Sequence, residues 1–254
     1  MGAFQDLDRL LRGEETNGDT LSRSGLTGRI WPLARVCVML AVGYGMCMGV
    51  YALFRPGGPE YRQVIAAAVK VPALFLLTLL VTFPSLYVFG TLLGARLGIG
   101  ELLRLVVYAL GVLLAVLAAF GPIVAFFSVT TTSYPFVVLL NVAVFAAAGA
   151  FGMSFLQRTL QRLAAVRAAP PAEPEGVVVL DQPGERRPAV ARPVPRVSPV
   201  FYAWMVLFGV VGALMGWVLR PFVGSPDVPF AWFRPREASF VEGVVRSLRS
   251  LFGG

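Results

Sequence analysis

The sequence predicts an all-α, polytopic membrane helical bundle of about five transmembrane helices, with an amphipathic helix at each terminus. Three observations predict it. Five apolar stretches, Trp31–Phe54, Val71–Gly94, Leu102–Phe127, Tyr134–Leu156 and Val200–Leu219, each reach the ~20 residues that a helix needs to cross a hydrocarbon core. Almost no ionisable side chain falls deep inside any of them. Of the 254 residues, 57% are hydrophobic and only 14% charged, too apolar a balance for a water-exposed fold of this length.

Each element follows from local pattern. Residues 1–30 form a cytoplasmic N-terminal segment. In it Phe4, Leu7, Leu10 and Leu11 keep helical spacing among Asp6, Asp8, Arg9 and Arg12. That is a short amphipathic helix, suited to the membrane surface or to docking on the rest of the protein. Its acidic residues, with no apolar centre, do not make a signal peptide.

Residues 31–156 form a four-helix transmembrane region. The first span carries Gly45 and Gly49, four apart, a spacing that opens a groove for a neighbouring backbone. The turn Pro56–Pro59 leads into Tyr61–Lys70, a helical piece expected at the interface. Pro72 suits the first turn of the second span and Pro84 predicts a kink in its middle, with Thr82 or Ser85 meeting the freed backbone. Gly90 and Gly94 repeat the small-residue spacing at its far end. Glu101 and Arg104 open the third span three residues apart, close enough to pair. The hydroxyl-rich stretch Ser128–Pro135 is a hairpin loop, and the fourth span holds Asn141, a hydrogen-bonding group suited to a helix–helix contact.

Residues 157–199 form a cytoplasmic linker. Eight of the 19 prolines lie between Pro170 and Pro199, among seven arginines from Arg158 to Arg196. Ala168–Ser198 cannot bury enough apolar surface to offset chain entropy and reads as a disordered, extended segment. The fifth span, residues 200–219, carries Gly212 and Gly216. Residues 220–254 form the extracytoplasmic tail. Four prolines and four aromatics between Arg220 and Glu237 predict an extended loop at head-group level. Ser239 and Glu242 then make a capping box for an amphipathic helix.

Charge sets the orientation. With the N-terminus in the cytoplasm, 14 of the 22 basic residues lie on that side, including Arg9, Arg12, Arg96 and the linker arginines. That bias puts the C-terminus outside. The Arg-, Ala- and Pro-rich usage points to a bacterial cytoplasmic (inner) membrane. The net charge of +8 is read as basic flanks against lipid head groups, with no nucleic-acid partner.

This layout of polar N-terminus, clustered spans over Trp31–Leu219 and short far-side tail resembles the Yip-type membrane proteins of the early secretory pathway and their bacterial relatives. The Asp-Leu-Tyr-Gly-Pro signature of the eukaryotic members is missing, and the long linker departs from their compact pattern. The string from Trp217 to Pro226, with Phe233 to Glu237, is similar to the tail of a bacterial membrane-protein family without an established activity. The resemblance implies an architecture and carries over no site residues.

Function is narrowed mainly by chemistry. No histidine exists to serve as base or metal ligand, and Cys37 and Cys47, both in the first span, build neither a disulfide nor a zinc site. The expectation is no catalytic residues, no cofactor and no metal. Transport usually keeps ionisable groups at membrane depth, whereas here the deepest polar groups are neutral, so a small-solute transporter or channel is the alternative. The favoured reading is a non-enzymatic scaffold, assembly factor or accessory subunit, whose partners are membrane lipids and other membrane proteins or a second copy. Its candidate partner or lipid contact is Arg220, Trp232, Phe233, Arg234, Arg236 and Glu237, and its candidate helix-packing residues are Gly45, Gly49, Gly90, Gly94, Gly212, Gly216 and Asn141. The competing role for the tail is simply to cap the outer helix ends.

Overall fold

The computed structural model describes residues 3–14, 30–54, 58–92, 98–168, 199–224, 230–233 and 240–252. Among them all regular structure is helical: α1 (Ala3–Leu11), α2 (Ile30–Gly49), α3 (Tyr51–Phe54), α4 (Tyr61–Leu92), α5 (Ile99–Thr130), α6 (Tyr134–Ala168), α7 (Pro199–Val218) and α8 (Phe240–Phe252). Four units, Ile30–Phe54, Tyr61–Val88, Ile99–Thr130 and Tyr134–Leu163, are long and apolar enough to cross a membrane.

Several helices outrun their apolar stretches. The expected interfacial piece Tyr61–Lys70 is continuous with the second span, so Pro72 lies inside α4 and not in its first turn. Residues 157–168, expected as the start of the linker, prolong α6, and 169–198 lie outside the described residues. A helix of 32 residues such as α4 measures about 48 Å, well beyond the ~30 Å hydrocarbon core, so such helices tilt or project. The first span is interrupted at Val50, where α2 gives way to the single turn of α3.

The core is built around α2, which packs on both α4 and α5. Gly45 and Gly49 lie against Val64, Ala67 and Ala68 of α4, so these two helices approach backbone to backbone. On its other side Cys47 and Tyr44 meet Gly121 of α5. Gly152 of α6 sits on Leu113 and on the Ala109 carbonyl of α5. Aromatic rings tie α6 to the centre: Phe145 meets Tyr44 edge-on at 5.5 Å and stacks on Phe75 at 6.0 Å.

Between the alternatives for α1, docking is what occurs. Leu7 and Leu10 are buried, and Leu10 reaches Gly111 of α5 beside Leu33 and Cys37 of α2. Its polar face keeps an Arg12–Asp8 ion pair at 2.9 Å in solvent. At the opposite end the Tyr51 hydroxyl donates to the Thr132 carbonyl, joining α3 to the α5–α6 turn. The Glu101 carboxylate accepts the Gly98 N–H at 3.2 Å and so caps the start of α5.

The fifth apolar segment, α7, lies antiparallel along α4. Trp204 reaches Thr82 and Ser85, Gly212 faces Thr78, Gly216 faces Leu74, and Pro221 reaches Lys70 and Gln63. The partners descend one helix as they climb the other.

Candidate functional site

Two polar constructions stand out in this apolar molecule. The first is at mid-bundle. The Tyr44 hydroxyl donates to Asn141 Oδ1 at 2.9 Å, and Asn141 Nδ2 donates to the Val137 carbonyl at 2.8 Å. Both side chains are almost fully buried. On α4, Thr78 donates to the Leu74 carbonyl and Thr82 to the Thr78 carbonyl, each at 2.7 Å, and Ser85 donates to the Thr82 carbonyl. Pro84 supplies no N–H here, and Trp204 Nε1 of α7 reaches the Thr82 carbonyl at 3.4 Å and Ser85 Oγ at 3.3 Å. Of these bonds, Tyr44–Asn141 joins α2 to α6 and Trp204 joins α7 to α4, while Thr78, Thr82, Ser85 and Asn141 Nδ2 bond carbonyls of their own helix.

The second construction is a clamp at the bundle end where α4 begins and α7 finishes. Gln63 and Lys70 are 2% and 3% exposed, although both are polar. Gln63 Nε2 donates to the Pro221 carbonyl at 3.0 Å and the Phe222 carbonyl at 2.9 Å. Lys70 Nζ donates to the Pro221 carbonyl at 3.1 Å and to the Trp232 carbonyl, and lies 5.2 Å from the centre of the Phe233 ring. A compact ammonium with three rotatable donors suits two carbonyls and a ring face better than a planar guanidinium does. Leu219, Pro221 and Val223 are buried around it. The Arg220 guanidinium stacks 3.8 Å over the Trp217 ring, and Gly243 of α8 lies against the same indole.

The candidate residues fall into this frame unevenly. Arg220 is at the clamp, and Trp232 and Phe233 lie over Lys70 with their side chains half or more exposed. Gly45 and Gly49 face α4, as do Gly212 and Gly216, which lie near Thr78 and Leu74. Both glycine pairs are therefore occupied by this chain's own helix α4. Gly90 lies in the last turns of α4, while Gly94, Arg234, Arg236 and Glu237 lie outside the described residues.

Sequence reasoning missed Gln63 and Lys70. The signal was that Lys70 is the one lysine among 22 basic residues, in a chain that elsewhere uses Arg. Beside the clamp, Arg62, Ile65, Phe230, Ala231 and Trp232 line a groove of about 490 Å³. Among the described residues no set of three or more His, Cys, Asp or Glu groups is placed to hold a metal ion, and both cysteines are free thiols. No protein family, curated protein or solved structure matches this chain.

Proposed function

We propose that this chain is a non-enzymatic scaffold, assembly factor or accessory subunit held in a bacterial cytoplasmic membrane by five spans. The observation that carries the reading is the use of the deepest polar side chains. Tyr44, Asn141, Thr78 and Thr82 are buried at 1–2% exposure and bonded to each other or to helix carbonyls. Tyr44 and Asn141 join α2 to α6, and Thr78 and Thr82 are satisfied within α4. Groups satisfied inside the protein serve a rigid bundle, and a solute path needs polar groups turned toward water.

The fifth span is α7. Its 20 residues extend about 30 Å as a helix, and its contacts run antiparallel along α4 through the depth of the bundle. An odd number of crossings with the arginine bias of the N-terminal side puts residues 1–14 in the cytoplasm and the clamp outside. The terminal helix α8 carries exposed Val241, Val245 and Leu248 beside Arg246 and Arg249, a pattern suited to the lipid interface. The tail then presents Trp232 and Phe233 as the contact for lipid or a membrane partner. Because the Gly45, Gly49, Gly212 and Gly216 grooves are filled internally, the partner surface lies in this tail and not in those grooves.

The test pairs two measurements on full-length protein. Crosslinking in native membranes before mild-detergent extraction is expected to give an assembly above the monomer mass, weakened by Trp232→Ala. Liposomes containing the purified chain are expected to stay tight to small solutes. A lone monomer that passes a solute, with flux lost in Asn141→Leu, would establish the transporter alternative instead.

A further inference from the structure

We infer that the groove beside the clamp seats an anionic diacyl phospholipid, with Arg62 on its phosphate and one acyl chain laid along α4. The inference rests on the membrane reading above. Arg62 and Ile65 come from the first turns of α4, and Phe230, Ala231 and Trp232 from the returning tail. The space of about 490 Å³ falls within the range of small-ligand sites.

Charge and depth both select this occupant. Arg62 is exposed, and among the described residues no carboxylate pairs with it. Its guanidinium offers the planar fork that fits a phosphate. The buried Lys70 ammonium, bonded to the Trp232 carbonyl, adds positive potential behind the groove. One turn deeper than Arg62 the wall becomes apolar at Ile65, which is 60% exposed.

From there an exposed stripe continues down α4 through Val69 at 56%, Leu76 at 57% and Leu80 at 69%. Positions 65, 69, 76 and 80 share one helical face and together extend about 22 Å along the axis, the scale of a long acyl chain. Neither α2 nor α7 covers these side chains. A cation at the head-group level, an aromatic edge beside it and an apolar track running inward match a charged amphiphile. A soluble phosphate compound would use only the first of the three.

The test is native mass spectrometry of the full-length protein released from detergent. The probes are phosphatidylglycerol and phosphatidylcholine with identical chains, and glycerol 3-phosphate. Phosphatidylglycerol should be retained over phosphatidylcholine by about fivefold, the scale of one basic residue at an anionic membrane surface. Arg62→Gln should erase that preference with an unchanged thermal midpoint, since the side chain is exposed. Arg62→Lys should keep part of it, and Arg249→Gln on α8 should leave it intact. Equal retention of the two lipids, or an undiminished preference in Arg62→Gln, would overturn the inference. Tight binding of glycerol 3-phosphate would reassign the groove to a free phosphate and equally overturn it. Failure of the underlying membrane reading would look different, as a chain that stays in solution without detergent.

Discussion

Gly45→Ala tests the centre of the bundle with a single methyl group. A Cβ at Gly45 would stand 2.6 Å from the Ala67 carbonyl oxygen, 2.8 Å from the Ala68 Cα and 2.9 Å from the Ala67 carbonyl carbon. All three are backbone atoms of α4, so no rotamer change relieves the clash. Ordinary contact begins near 3.4 Å, which requires α2 and α4 to part by about 0.8 Å at this level. A gap of that size forfeits about a quarter to a half of the dispersion energy of each contact it opens. Overpacking of this kind costs ~1–3 kcal/mol.

Gly43→Ala is the matched control, because nothing lies within 4 Å of the added atom there. Both substitutions gain the same helix propensity, up to ~1 kcal/mol, so their difference isolates the steric term. Unfolding of the full chain in mixed micelles of rising SDS content, followed by tryptophan fluorescence, should place Gly45→Ala ~1–3 kcal/mol below Gly43→Ala. Equal stability of the two variants would refute the close approach of α2 and α4.

Three further outcomes are expected. In a double-mutant cycle, Tyr44→Phe and Asn141→Leu should couple by ~0.6 kcal/mol and at most about 1.7, the range for neutral hydrogen bonds between membrane helices, because each removes the same 2.9 Å bond; the same micelle titration reads it. Lys70→Met should free the tail without unfolding the bundle, at a local cost of ~1.5–3 kcal/mol for losing a charged donor. Hydrogen exchange should then rise at 219–224 and stay slow at Leu105–Leu117, and Lys70→Met with Gln63→Leu should release the tail further than either alone. Trp204→Phe keeps a ring against Phe208 but loses the long bonds to Thr82 and Ser85, and should lower stability by no more than ~1 kcal/mol.

The positions of the apolar helices were legible in the sequence because hydrocarbon imposes a length and a polarity on any segment that crosses it. Their ends were less so. Apolar character stops where the membrane stops, whereas backbone hydrogen bonds continue, so α4 begins at Tyr61 and α6 runs on to Ala168. For the candidate site, the aromatics and basic residues of the tail were visible as a composition, but not what holds them.

Gly45, Gly49, Gly212 and Gly216 illustrate the division. Their spacing alone announces two narrow faces, since a helix repeats every 3.6 residues whatever surrounds it. That both faces meet α4 is decided only by the fold. Lys70 is the stronger case. By sequence it is a charge at the edge of a span, and its value comes from Pro221, 151 residues away, and Trp232, 162 residues away. Local pattern reports how a segment relates to its solvent, and a hydrogen bond between distant segments exists only once tertiary packing has brought donor and carbonyl within reach.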